Sequence, residues 1–114
     1  MSLPSPSNST LVRKAFTMSV NPGRFEEYQR RHNPICPELE RTLKEYGVRS
    51  YSIFYHNTTR QLFAFAEVED DARWEAIAQT DVCQRWWKYM SDIMPTNTNG
   101  SPASASLTEV FRLS

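Results

Sequence analysis

Two strings dense in β-branched and aromatic residues, "VRSYSIFYH" and "QLFAFAEVE", are separated only by "NTTR". Such residues favour a pleated, half-buried backbone, and four intervening residues leave room for little besides a hairpin. A lone two-stranded hairpin is marginal in water, so the flanking chain must widen the sheet and cover a face of it. From Leu11 to Val20, "LVRKAFTMSV" supplies another strand, with Phe16, Met18 and Val20 on one side by alternation.

Between these strands the pattern turns helical. Asn21 is a suitable N-cap, Pro22 suits the first helical turn, and Phe25, Tyr28 and His32 follow at three- and four-residue spacing. Asn33 precedes Pro34 and Cys36 precedes Pro37, and residues before proline avoid helical dihedrals, so "HNPICP" breaks the helix. Helix resumes from Pro37 to Tyr46, with Leu39 and Leu43 buried and Gly47 at C′. After the hairpin, "DDARWEAIAQT" opens with acidic residues, as a helix start should, and turns Trp74, Ile77 and Ala78 inward. "DVCQRWWKYMSDIMP" follows as a second short helix. "PTNTNGSPASAS", residues 95–106, carries no element signal, and "LTEVFRLS" closes as a strand through Leu107, Val110 and Phe111.

The order β-α-β-β-α-β predicts an α+β, ferredoxin-like fold, an antiparallel sheet with helices on one face, as a single domain over residues 11–114. Residues 1–10, "MSLPSPSNST", read as a disordered lead-in or a cloning remnant. One sheet face is left over. With Phe16, Met18, Tyr51, Ile53, Phe63 and Phe65 alternating along the strands, that face is too apolar to stay wet, which predicts a homodimer, a dimeric α/β barrel.

The 13 basic and 13 acidic residues cancel, pointing away from nucleic acid and from membranes and toward a small or neutral ligand. No apolar run approaches the ~18 residues of a membrane-spanning helix, and the N-terminus lacks the basic and apolar regions of a signal peptide. Cys36 and Cys83 lie far apart with no C-x-x-C spacing, which fits reduced thiols and a cytoplasmic location.

Two histidines are the side chains whose ordinary pKa lies near neutrality. His56 falls at the hairpin tip and reads as a solvated turn residue. His32 lies four residues after Tyr28 and just before the proline break, where a helix end meets an opening; it is a cap, a satisfied core residue or an acid–base group. Tyr28 either packs between helix and sheet or faces a ligand. Adjacent residues Trp86 and Trp87 point about 100° apart on a helix. Val82, Trp86, Tyr89 and Ile93 share one stripe, and Cys83, Trp87, Met90 and Met94 the next. So wide an apolar face is either buried on two sides or lines a pocket. The histidines are too isolated for a metal site, and the three glycines form no nucleotide-binding loop. "QRWWKY" interleaves Arg85 and Lys88 with aromatics as single-strand binders do, although a solvated rim beside an aromatic pocket explains it more simply.

"RKAFTMSVNPGRFEEYQRRHNPICPELE", "FAFAEVEDDARWEAIAQTDVCQRWWKYMSDIMP" and the ending "LTEVFRL" closely resemble the L-rhamnose mutarotases, from about Val12 to Leu113. The resemblance implies a dimeric ferredoxin-like isomerase that interconverts the α and β anomers of L-rhamnose without metal or organic cofactor. It places the family's proton donor, the histidine of "RRHNP", at His32, and the sugar-contacting residues at Tyr28, Tyr51, Trp86 and Trp87. Cys36 departs from the pattern, standing where the family carries the tryptophan of "NPIWPELE". If that position lines the pocket, the wall is roomier here.

The implied chemistry suits these residue types. Opening a cyclic hemiacetal needs an acid for the ring oxygen and a base for the anomeric hydroxyl, and a histidine can serve as the acid. Tyr28, a carboxylate or a bound water is a candidate base, and a histidine that shuttles protons through water would also serve. Two other readings share the fold: an oxygenase or haem-degrading protein with His32 as axial ligand, and a non-catalytic sugar-binding module that uses the tryptophans alone.

Overall fold

The computed structural model describes residues 11–113. Its elements are β1 (Val12–Ser19), α1 (Phe25–Arg31), α2 (Pro37–Glu45), β2 (Val48–His56), β3 (Gln61–Val68), α3 (Asp71–Ile77), α4 (Asp81–Met90) and β4 (Ala105–Ser106). The strands pair antiparallel in the order β2-β3-β1-β4, which is the ferredoxin-like arrangement the sequence predicts. Residues 1–10, read as a lead-in, lie outside the described residues.

Register decides which side chains meet the helices. Rows Met18–Leu62–Tyr55, Phe16–Ala64–Ile53 and Lys14–Ala66–Tyr51 share one face, and the β3 members of those rows are fully buried. Rows Thr17–Phe63–Phe54, Ala15–Phe65–Ser52 and Arg13–Glu67–Ser50 form the other. The expected composition of the uncovered face is thereby corrected. Phe16, Met18, Tyr51 and Ile53 lie under the helices, while Phe63 and Phe65 are outside and are joined by Phe54, which is 67 % exposed. Alternation tells which residues share a side; it does not tell which side the helices take.

Local backbone chemistry sets the helix boundaries. Asn21 is not the cap of α1: its carbonyl accepts the Arg24 N–H in a turn, and Gly23 at φ +75° separates Pro22 from the helix. The expected break falls between Arg31 and Pro37, where Pro37 opens α2, and Gly47 follows α2 at φ +89° as a left-handed C′ residue. Asp70 caps α3 by accepting from Ala72 N–H at 3.0 Å, and Thr80 caps α4 by accepting from Cys83 N–H at 3.2 Å.

The closing strand expected over "LTEVFRLS" does not form. Pairing with β1 is confined to Ala105 and Ser106, inside the segment that carried no element signal. Beyond it Leu107 N–H donates to the Ala15 carbonyl at 2.9 Å and Glu109 pairs with Arg13 at 2.7 Å, so the chain follows the edge of β1 without continuing the ladder. A strand gains stability from a covered face. Within the described residues of one chain nothing packs over this end, and Val110 and Phe111 are 92 % and 76 % exposed.

Candidate active site

Between the helices and the sheet lies a cavity of about 1040 Å³. Two buried clusters flank it, one built from Val20, Tyr28, Leu62, Met90, Ile93 and Met94, the other from Val48, Ala66, Val68, Ile77 and Cys83. α4 spans both. Trp86 packs against the first cluster and Trp87 against the second, each half-buried and each lining the cavity. The tryptophan pair is therefore one wall of a pocket whose two indoles rest on different halves of the core.

His32 closes α1 and also lines the cavity. Its Nδ1 stands 2.8 Å from the carbonyl oxygen of Tyr28. A carbonyl can only accept, so Nδ1 carries the hydrogen, and Nε2 of the neutral ring is left as a proton acceptor. The imidazole stacks on the Tyr28 ring at 4.3 Å and meets the edge of Trp86 at 5.3 Å. Burial among these rings lowers its pKa below the ordinary 6.5, and the Tyr28 carbonyl offsets only part of that. His32 is thus neutral at pH 7.

Tyr28 is buried in the core and also lines the cavity wall, so packing against the sheet does not remove it from the cavity. Tyr51 lines the wall from β2, within a trio whose ring centres lie 6.4 Å (Phe16–Tyr51), 6.2 Å (Phe16–Trp74) and 5.9 Å (Tyr51–Trp74) apart. Burial raises both phenols well above their ordinary range, and Tyr51 is raised further by the nearby Tyr28. Each remains a neutral hydrogen-bond donor. The cavity thus gathers all five predicted site residues: His32, Tyr28, Tyr51, Trp86 and Trp87.

Sequence reasoning missed Phe16 and Trp74 as wall residues. Trp74 reads as inward-facing from its helix, but nothing local distinguishes packing in a core from walling a cavity. The polar segment 95–106 folds onto the site. A Thr96–Pro102 bridge and the Ala103 N–H donating to the Pro95 carbonyl at 3.0 Å hold it, and Ser101, Pro102 and Ser104 reach the cavity. His56 stays exposed at the hairpin tip, where its Nδ1 accepts from the Thr59 N–H at 3.2 Å. Among the described residues no three His, Cys, Asp or Glu side chains converge as a metal site requires.

The family model of L-rhamnose mutarotase matches residues 13–113 of this chain. The chain belongs to the L-rhamnose mutarotase family. It is 58 % identical over 103 residues to the L-rhamnose mutarotase of Shigella flexneri serotype 5b, covering 90 % of this chain and 99 % of the relative. With the L-rhamnose mutarotase of Opitutus terrae the identity is 60 % at the same coverage. The crystal structure of an L-rhamnose mutarotase from Formosa agariphila superposes with a TM-score of 0.82 at 41 % identity, covering 90 % of this chain and 99 % of that one. A putative antibiotic biosynthesis monooxygenase from Bordetella bronchiseptica reaches a TM-score of 0.67 at 13 % identity, over 90 % and 99 % of the two chains, a likeness of fold alone. The oxygenase reading therefore rests on architecture, while the mutarotase reading rests on sequence and structure together. Cys36, the position read as departing from the family pattern, does not line the cavity, although its neighbours Ile35 and Leu39 do.

Proposed function

We infer that this protein is an isomerase that interconverts the α and β anomers of L-rhamnose. The observation that carries the mechanism is the hydrogen bond from His32 Nδ1 to the Tyr28 carbonyl, which leaves Nε2 of a neutral imidazole for the cavity. In the reaction we assign to it, Nε2 takes the proton of the anomeric hydroxyl as the bond from the anomeric carbon to the ring oxygen breaks. The ring oxygen then receives a proton from the imidazolium. Both oxygens are bonded to one carbon, so one nitrogen serves each in turn, as base and then as acid. Rotation in the open aldehyde presents the other face, and closure reverses both transfers.

The walls suit the sugar. Indole faces of Trp86 and Trp87 pack against the apolar C–H faces of a pyranose, and Tyr28 and Tyr51 offer neutral hydroxyls to its polar edge. The methyl group of a 6-deoxy sugar asks for no polar partner in such a pocket.

The same reading makes the protein a cytoplasmic homodimer that binds neither nucleic acid nor membranes. Two free thiols, Cys36 and Cys83, support the compartment, and a net charge of zero supports the lack of an anionic partner. Among the described residues no helix is long and apolar enough to cross a membrane. Phe54, Phe63 and Phe65 on the uncovered face, with Val110 and Phe111 beyond β4, are the surface a second copy would cover.

Saturation-transfer proton NMR on equilibrated L-rhamnose tests the activity. Exchange between anomers accelerates with the wild-type protein and returns to the uncatalysed rate with His32→Ala. A His32→Ala protein as active as wild type removes His32 from the chemistry, and a wild type without effect on exchange removes the activity.

A further inference from the structure

Arg31 immediately precedes His32, and although it ends a surface helix its side chain is only 7 % exposed. Its donors are shared out among several acceptors. Nε donates to the Glu27 carboxylate one turn back at 2.7 Å, Nη1 to the Tyr89 carbonyl at 2.7 Å and to one Asp92 oxygen at 2.9 Å, and Nη2 to the other Asp92 oxygen at 3.2 Å. The Tyr89 carbonyl belongs to the last turn of α4, where carbonyls lack helical partners. The guanidinium also lies over the Tyr89 ring, 4.1 Å from its centre.

These contacts form a closed circuit. Tyr89 leans on Trp86 at 5.7 Å between ring centres, Trp86 meets His32 edge-on at 5.3 Å, and His32 follows Arg31 in the chain. The end of α1 and the end of α4 are thus tied twice, once by charge through Arg31 and once by ring contact at the site. A planar fork can hold a carboxylate, a carbonyl and an aromatic face together; an ammonium group is a point charge without that shape.

We propose that Arg31 is a positioning residue for His32. By clamping the last turn of α1 to Tyr89 and Asp92, it keeps the imidazole between Tyr28 and Trp86 with Nδ1 on the Tyr28 carbonyl. The proposal rests on the reading of His32 as the proton carrier. It adds that the direction of the free nitrogen is set by a neighbour that never touches the sugar.

Three variants test it: Arg31→Gln, Arg31→Lys and Asp92→Asn. Each is measured for kcat and KM of anomer exchange and for the ¹⁵N shifts of the His32 ring, which report which nitrogen carries the hydrogen. Loosening a catalytic group by a fraction of an ångström costs on the order of tenfold or more, so kcat falls at least that far in Arg31→Gln while KM stays near wild type. The ring signature moves from a hydrogen fixed on Nδ1 toward a mixture of tautomers, and Arg31→Lys restores neither. A purely structural role would lower melting temperature and leave kcat and tautomer untouched in the folded fraction. That result, or an effect on KM alone, overturns the proposal. Should Arg31→Gln not fold, Asp92→Asn removes the carboxylate end of the fork from an exposed position and gives the same readouts. Exchange that survives His32→Ala defeats the proton-carrier reading instead, while the ¹⁵N signature still reports whether Arg31 orients the ring.

Discussion

At the scale of single residues, the site depends on what surrounds one imidazole. Among the described residues no carboxylate bonds to His32; its partners there are a backbone carbonyl and two aromatic rings. Burial outweighs the opposing hydrogen bond to the Tyr28 carbonyl, and the ring sheds its proton more readily than a solvated histidine does. A group with a depressed pKa is neutral above that value and charged below it, and only the neutral ring can accept the anomeric proton. Exchange is accordingly flat from pH 7 to pH 8 and falls as pH drops through a pKa below 6.5, a limb that kcat measured by NMR against pH will show. An acid-first mechanism gives the opposite slope, with the rate falling as pH rises. Tyr28 and Tyr51 add no alkaline limb in this range because burial holds both phenols protonated. That these residues would gather at one place was implied by the resemblance; spacing alone left Tyr28 and His32 open between packing, capping and chemistry. The tautomer was not, since it requires the helix end and Trp86, 54 positions further on, to be placed in space.

Among the elements, β3 makes room for two of the wall residues by what it lacks. Ala64 and Ala66 sit at its centre with almost no exposed surface, and their row neighbours Phe16 on β1 and Tyr51 on β2 lean over them. Strands two apart in a sheet are separated by about 10 Å, yet these two ring centres stand 6.4 Å apart. Ala64→Leu fills the space into which the rings lean. Over-packing of this kind costs about 1–3 kcal/mol, to be read from denaturant unfolding, and it raises KM for the sugar as Tyr51 is displaced. The hairpin, the proline break and the helix over residues 37–46 were legible because each has a local cause in turn length, pre-proline sterics or a left-handed glycine. The face taken by the helices and the fate of "LTEVFRLS" were not, because both depend on which surfaces find a cover.

Taken whole, the molecule keeps its proposed site residues inside and leaves an aromatic patch outside. Phe63 and Phe54 are cross-strand partners on the bare face and are 37 % and 67 % exposed. In the proposed homodimer, Phe63→Asp places a charge in that interface and shifts sedimentation from dimer to monomer, while circular dichroism retains the native signal. An unchanged dimer would move the contact elsewhere. A last property follows from the cavity wall. The chain has three tryptophans, and Trp74, Trp86 and Trp87 all line the same cavity. Every indole photon the protein emits thus originates at the cavity proposed to hold the sugar, so the molecule carries its own optical gauge of occupancy. L-Rhamnose absorbs no near-ultraviolet light, and its titration will change the emission without any label. Because an imidazolium quenches a neighbouring indole, acidification will dim Trp86 as His32 takes up its proton, and intrinsic fluorescence then gives the pKa that the pH–rate profile must match.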